Sequence, residues 1–349
     1  MIFEAVEAAF RGCALDWEDV EVVADSGSDV LDGRSLGDCT LFEALGAHLK
    51  PSYRIEEDGA MSAYYGNMLL QSGKYDTALV VGYGKGSNVS QSQATNMMFE
   101  PFYTRPLGVD GVTSAALQAQ SYLEETGADP AAAGDVVAQS RARGGDNPRV
   151  QTDLEQLDAE AARQTAKIAT PLRESDQAPT TDGACALILA TEEVATRATD
   201  TVAWIEGAAH SSDKYTLDRD LSRASSCERA AEAAYEQADV SDPVAAFDVA
   251  ETGATTSFQE LMVYESLGLA ERGDAATVFE SDVSMNPSGG ALAANPAMAT
   301  GLVRMGEAAL QVTGEAPGRQ VDGASRAVAH GTTGINLQNN AVFVLEGAV

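Results

Sequence analysis

Few side chains of this sequence stand where chemistry could be done. His330 lies in Ala329-His330-Gly331-Thr332-Thr333-Gly334, a glycine-rich turn. An imidazole there either moves protons near neutral pH or simply hydrogen-bonds within a tight turn. Glu56-Glu57-Asp58 puts three acids in a row. Crowding would raise the pKa of one of them toward that of a general base. The alternative is a solvated acidic turn capping a helix start, which suits Asp58. Asn286-Pro287-Ser288-Gly289-Gly290 is a turn through which backbone can approach a ligand closely. Gly82-Tyr83-Gly84-Lys85-Gly86-Ser87 lacks the spacing of a phosphate loop. Cys13, Cys39, Cys185 and Cys227 form no CxxC pair and have no histidine nearby, so no metal site is expected. Cys185, within an apolar run, reads as a buried, inert strand residue. His48 and His210 have no supporting motif.

The surface chemistry is more distinctive. The 349 residues include 53 Asp and Glu against 22 Lys and Arg, for a net charge of -31. Only five of those cations are lysine: Lys50, Lys74, Lys85, Lys167 and Lys214. The acids are spread along the chain. Such a charge repels itself at low salt, whereas near 1 M salt the Debye length falls to about 3 Å. A halophilic protein is expected. No basic patch is present, so nucleic acid is not an expected partner. No run of about 18 apolar residues marks a membrane helix, and no signal-peptide pattern opens the chain, so a reduced cytoplasm is expected.

The elements that would position these residues alternate. Apolar spacing predicts a helix over residues 1–12, a strand near Val20–Ala24, a helix over 35–50, and a short strand over 53–57. A helix through Met61, Tyr64, Tyr65, Met68 and Leu69 stops at Gly73, and a buried strand begins at Thr77. Residues 84–180, rich in Gly, Gln, Ser and Asn, read as an inserted loop domain with helical stretches near 110–125 and 151–168. The second half repeats the first at an offset of 225: Ala5–Phe10 matches Ala230–Tyr235, and an apolar strand follows in each copy. This predicts parallel sheets with helices on both faces, divided as 1–191 and 192–349. In the second copy a strand near 201–207 precedes the helix; in the first nothing does. Buried strands left unpaired are costly, so the natural chain is expected to start about 25 residues upstream.

Taken in order, five segments resemble the thiolase superfamily, especially its archaeal and sterol-carrier-like branch. They are Gly73-Lys74-Tyr75-Asp76 leading into Thr77–Gly82; Pro171-Leu172-Arg173 with Thr181-Asp182-Gly183-Ala184; Gln259-Glu260-Leu261; Glu265–Leu269; and Asn286–Gly290. The resemblance implies a duplicated thiolase fold, two similar βαβαβαββ halves in five layers, with the first strand of the N-terminal half missing. It implies a CoA thioester as substrate, no resident cofactor, and a homodimer or larger assembly. It also implies a pantetheine channel beside Asn286, Ser288, Gly289, Gly290, Gly331 and Gly334.

The family's catalytic residues are replaced here. Counting back from Gly73 puts the nucleophilic cysteine's position at Glu56, with Gly59 as the matching glycine. Gly253 takes the place of the first histidine and Asn295, before Pro296, that of the second. Asn295 is either an oxyanion donor to a thioester or the cap of a helix opened by Pro296. His330, Glu56 and Asn295 are the candidate catalytic residues. Two functions follow: carbon–carbon bond chemistry on a CoA thioester, acyltransferase- or aldolase-like and without a covalent cysteine, or a catalytically silent subunit that binds acyl-CoA or stabilises an active partner. Relatives of the first kind pair with a small OB-fold, zinc-ribbon protein.

Overall fold

A computed structural model describes residues 1–347, with Asp38 described by its backbone alone. The strands in chain order are β1 (Val22–Ser26), β2 (Ser52–Ile55), β3 (Thr77–Lys85), β4 (Lys167–Ala169), β5 (Leu172–Arg173), β6 (Asp182–Ala190), β7 (Ala203–Ser212), β8 (Val249–Glu251), β9 (Ser284–Met285), β10 (Arg326–Thr333) and β11 (Asn339–Gly347). One sheet runs β2-β1-β3-β6 and the other β7-β11-β10-β8-β9, with β4 and β5 a separate hairpin.

The duplication is explicit in the pairing. β1 is parallel to β2 and β3, and β3 is antiparallel to β6. Likewise β8 is parallel to β9 and β10, and β10 is antiparallel to β11. The sheets are therefore mixed rather than all parallel. In the second half a direct turn through Gly334 reverses the chain; in the first, the long excursion over residues 86–181 does so. β11 takes β7 on its outer edge, antiparallel. The outer edge of β6 has no strand beside it among the described residues.

Two helices, Gly59–Gln71 and Thr300–Val312, fill the space between the sheets. Ala60, Met61, Ala63, Leu302, Met305 and Ala308 pack there with Val80, Val249 and Phe343 in one buried cluster. Helix Ile2–Phe10 covers the first sheet, burying Ile2 and Val6. Ser225–Gln237 and Ser257–Ser266 cover the second. The stack is thus helix, sheet, helix, sheet, helix, because each sheet is apolar on both faces.

The excursion departs from expectation. Gly111–Thr126 is helical as anticipated, but the second long helix is Ala132–Asp146, and residues 151–168 hold one short helix, Ala159–Ala162, before β4 begins. The glycines of Ala132–Asp146 argue against a helix by propensity. Contact explains them: a Cβ at Gly144 would stand 2.6 Å from Ala293 Cβ. Among the described residues no helix is long and apolar enough to cross a membrane.

Candidate active site

The two central helices begin side by side, and Asp58 fastens both starts. It is the N-cap of Gly59–Gln71; its Oδ1 accepts from the Ala60 N–H at 2.9 Å and its Oδ2 from the Gly301 N–H at 3.1 Å. Only 2% of Asp58 is exposed. Burial pushes its pKa up to about 6, against the pull of those N–H groups and of Arg304. Space here is closed to side chains. A Cβ on Gly301 would lie 2.2 Å from Asp58 Oδ1, and one on Gly59 2.6 Å from Leu302 Cβ.

Asp58 lines a cleft of about 220 Å³ between this floor and the excursion, together with Gly253, Gln259, Asn295, Thr300 and Asn336. Asn295 does not cap a helix: the next one starts at Thr300, after Ala299. Its Oδ1 accepts a hydrogen bond from Thr300 Oγ1 at 2.6 Å. That contact spends the acceptor end of the amide and leaves the Nδ2 donor available to the cleft.

His330 lies behind the cleft rather than on it, fully buried. Its Nδ1 accepts from the Gly253 N–H at 3.4 Å and its Nε2 lies 2.8 Å from Asn340 Oδ1. The Asn340 Nδ2 donates to Ser226 and Leu337, so its oxygen is the acceptor and the histidine proton is on Nε2. Burial lowers the His330 pKa to about 4. The expected near-neutral proton shuttle is therefore a neutral strut between Gly253 and Asn340. Gly253 is tightly packed, since a Cβ would stand 3.1 Å from the His330 carbonyl oxygen.

Glu56 also falls outside the cleft. Its side chain is 55% exposed, accepts from the Asp29 N–H at 3.0 Å and lies 3.7 Å from Arg54 Nε. The strand ends at Ile55, so position 56 turns toward Arg54 while Asp58, two residues on, turns inward.

The Asn286–Gly290 turn is buried beneath the cleft and does not line it. Asn286 Oδ1 accepts from the Thr252 N–H at 2.7 Å. Ser288 gives its N–H and Oγ–H to Glu251 at 2.9 and 2.6 Å, and Arg304 Nη1 reaches the same carboxylate at 3.1 Å. Ser140 and Asn147 hold the Gly289 and Ser288 carbonyls from the excursion helix and the loop after it. Burial raises Glu260, beside Thr252, to about 8. These groups fix the segment ending at Gly253. Of the two turn glycines expected at the channel, Gly334 lines the cleft; Gly331 packs against Ala60 and Gly301.

No described cysteine borders the cleft, and burial in β6 pushes the Cys185 thiol up to about 12. Sequence reasoning read Asp58 as a cap and passed over Thr300 and Asn336. The signal for Asp58 was its place before the Gly59 helix, which also identified it as a cap.

Two mirrored halves meeting at paired helix starts, with a donor amide and a raised carboxyl in the cleft between them, define the class. Residues 207–347 match the family described as thiolase C-terminal domain-like. The acetyl-CoA acetyltransferase of Methanothermobacter thermautotrophicus is 28% identical, over 81% of this chain and 77% of that protein. Sterol carrier protein 2 of Gallus gallus is 25% identical, over 84% of this chain and 58% of its own. A solved structure described as the Ltp2-ChsH2(DUF35) aldolase shares the fold with a TM-score of 0.83 and 19% identity, over 99% of this chain and 91% of that one. These similarities support the thiolase superfamily, and within it the sterol-carrier-like branch. The chain is a thiolase-like, acyl-CoA-related protein.

Proposed function

We propose that the chain makes or breaks a carbon–carbon bond on a CoA thioester by proton transfer, with no covalent cysteine intermediate. The observation that carries this reading is Asp58, a buried carboxyl with a pKa near 6 in the same cleft as the Asn295 amide. In the cleavage direction Asp58 takes the hydroxyl proton of a β-hydroxyacyl thioester. The Cα–Cβ bond breaks, the β-carbon leaves as a carbonyl, and the electron pair passes to the thioester as an enolate. Asn295 Nδ2 donates to the enolate oxygen, the role of an oxyanion donor. The proton on Asp58 then returns to Cα. Asp58 thus replaces Glu56 and His330 as the acid/base.

Homodimerisation and a small OB-fold, zinc-ribbon partner belong to the same proposal; the described similarity to an aldolase named with a DUF35 component supports it. The purified chain, alone and with such a partner in high salt, is assayed for β-hydroxyacyl-CoA cleavage and acetoacetyl-CoA thiolysis. Cleavage that survives cysteine alkylation, falls about 100-fold or more in Asp58→Asn, and rises with pH through about 6 is expected. CoA binding without turnover under either condition would instead make the chain a silent subunit.

A further inference from the structure

The turn after Gly334 is expensive. Asn336 and Leu337 sit at φ 53° and 58°, two successive non-glycine residues in the left-handed region. Buried donors hold every carbonyl of the turn. Arg219 Nη2 donates to Ile335 O at 2.6 Å and to Asn336 O at 2.8 Å. Gln118 Nε2 donates to Asn336 O at 3.2 Å. Ser226 Oγ and Asn340 Nδ2 donate to Leu337 O at 3.1 and 2.9 Å. Gln118 is itself held by Gln259, a cleft residue, at 2.9 Å.

This scaffold fixes Asn336 at the wall of the cleft. It is 5% exposed, lines the cleft, and its Nδ2 has no hydrogen-bond partner among the described residues. Buried donors left unpaired are rare and costly, and one held rigidly in a cleft calls for a ligand acceptor. Ile335, Leu337 and Phe99 beside it are apolar, so they suit the carbon skeleton around that acceptor.

We propose that Asn336 is a ligand-binding residue whose Nδ2 donates to a carbonyl or hydroxyl oxygen of the bound thioester. The assignment rests on the acyl-CoA reading above. The oxygen has two possible sources, the acyl chain or an amide of the pantetheine arm.

The test is calorimetric titration of the full chain and of Asn336→Gly with CoA, butyryl-CoA and 3-hydroxybutyryl-CoA in high salt. Glycine keeps the left-handed turn at no steric cost, so folding is preserved while the amide is removed. Asn336→Asp, equally tolerant of that backbone, removes the donor and keeps the shape. The expected result is roughly tenfold weaker binding in both variants. Loss confined to 3-hydroxybutyryl-CoA places the oxygen on the acyl chain; equal loss for all three places it on the pantetheine arm. Parent-like affinity of both variants for all three ligands overturns the assignment alone, leaving Asn336 a turn former. A parent chain that binds none of the three overturns the acyl-CoA reading and this assignment with it.

Discussion

Residue scale shows where chemistry and structure trade places. His330 looked like a proton shuttle and is a neutral strut, with both ring nitrogens engaged. The unfolded chain takes up a proton near 6.5 and the folded one only near 4, so stability from neutral His330 is full above 6.5 and lost as pH falls toward 4. The gap in unfolding free energy between the parent and His330→Gln should narrow by about 3 kcal/mol from pH 7 to 4. Denaturant titrations at fixed salt measure it, and a gap independent of pH would contradict the buried neutral ring. Asp58 has the opposite sign: its raised pKa favours the fold below about 4, and that advantage is lost as pH rises through 6. The expected histidine positions, Gly253 and Asn295, both line the cleft. Spacing alone could not tell which acid of Ile55–Gly59 turns inward, because that depends on where the strand ends and the helix starts. Asn336 was invisible, since its interest lies in a missing partner.

At the scale of elements, local pattern carried most of the fold. The six helix and strand stretches of residues 1–81 were legible because each buries one periodic apolar face or a continuous run. The helix Ala132–Asp146 was not, because close packing on Ala293 overrides the poor propensity of its glycines. The closing pair of adjacent strands in each half came from the resemblance, not from periodicity, which reports burial and not direction. The paired helix starts impose the tightest constraint. A Cβ at Gly331 would lie 2.3 Å from Ala60 Cβ and 2.8 Å from Gly301 Cα. Gly331→Ala should therefore cost about 3 kcal/mol. It should also lower cleft activity, whereas an alanine at exposed Gly12, which meets nothing within 4 Å, should do neither. Thermal melts and CoA titrations separate the two.

For the whole molecule, the internal repeat predicted the architecture better than any single motif did. The two sheets share one pairing plan and clasp one pair of helices. Around that core the charge of -31 sets the conditions of stability. Raising KCl from about 0.1 M to about 2 M should lift the thermal midpoint by roughly 10 °C or more, as screening removes self-repulsion. A midpoint indifferent to salt would argue against halophilic adaptation. One carboxyl touches a backbone N–H in each half of the molecule, Ala60 on one side and Gly301 on the other. When that group takes up a proton, a charge-assisted grip on both halves weakens at once. On the proposed role of Asp58, proton transfer and the seam of the duplicated protein share one group, and a substitution that tunes one will be felt in the other.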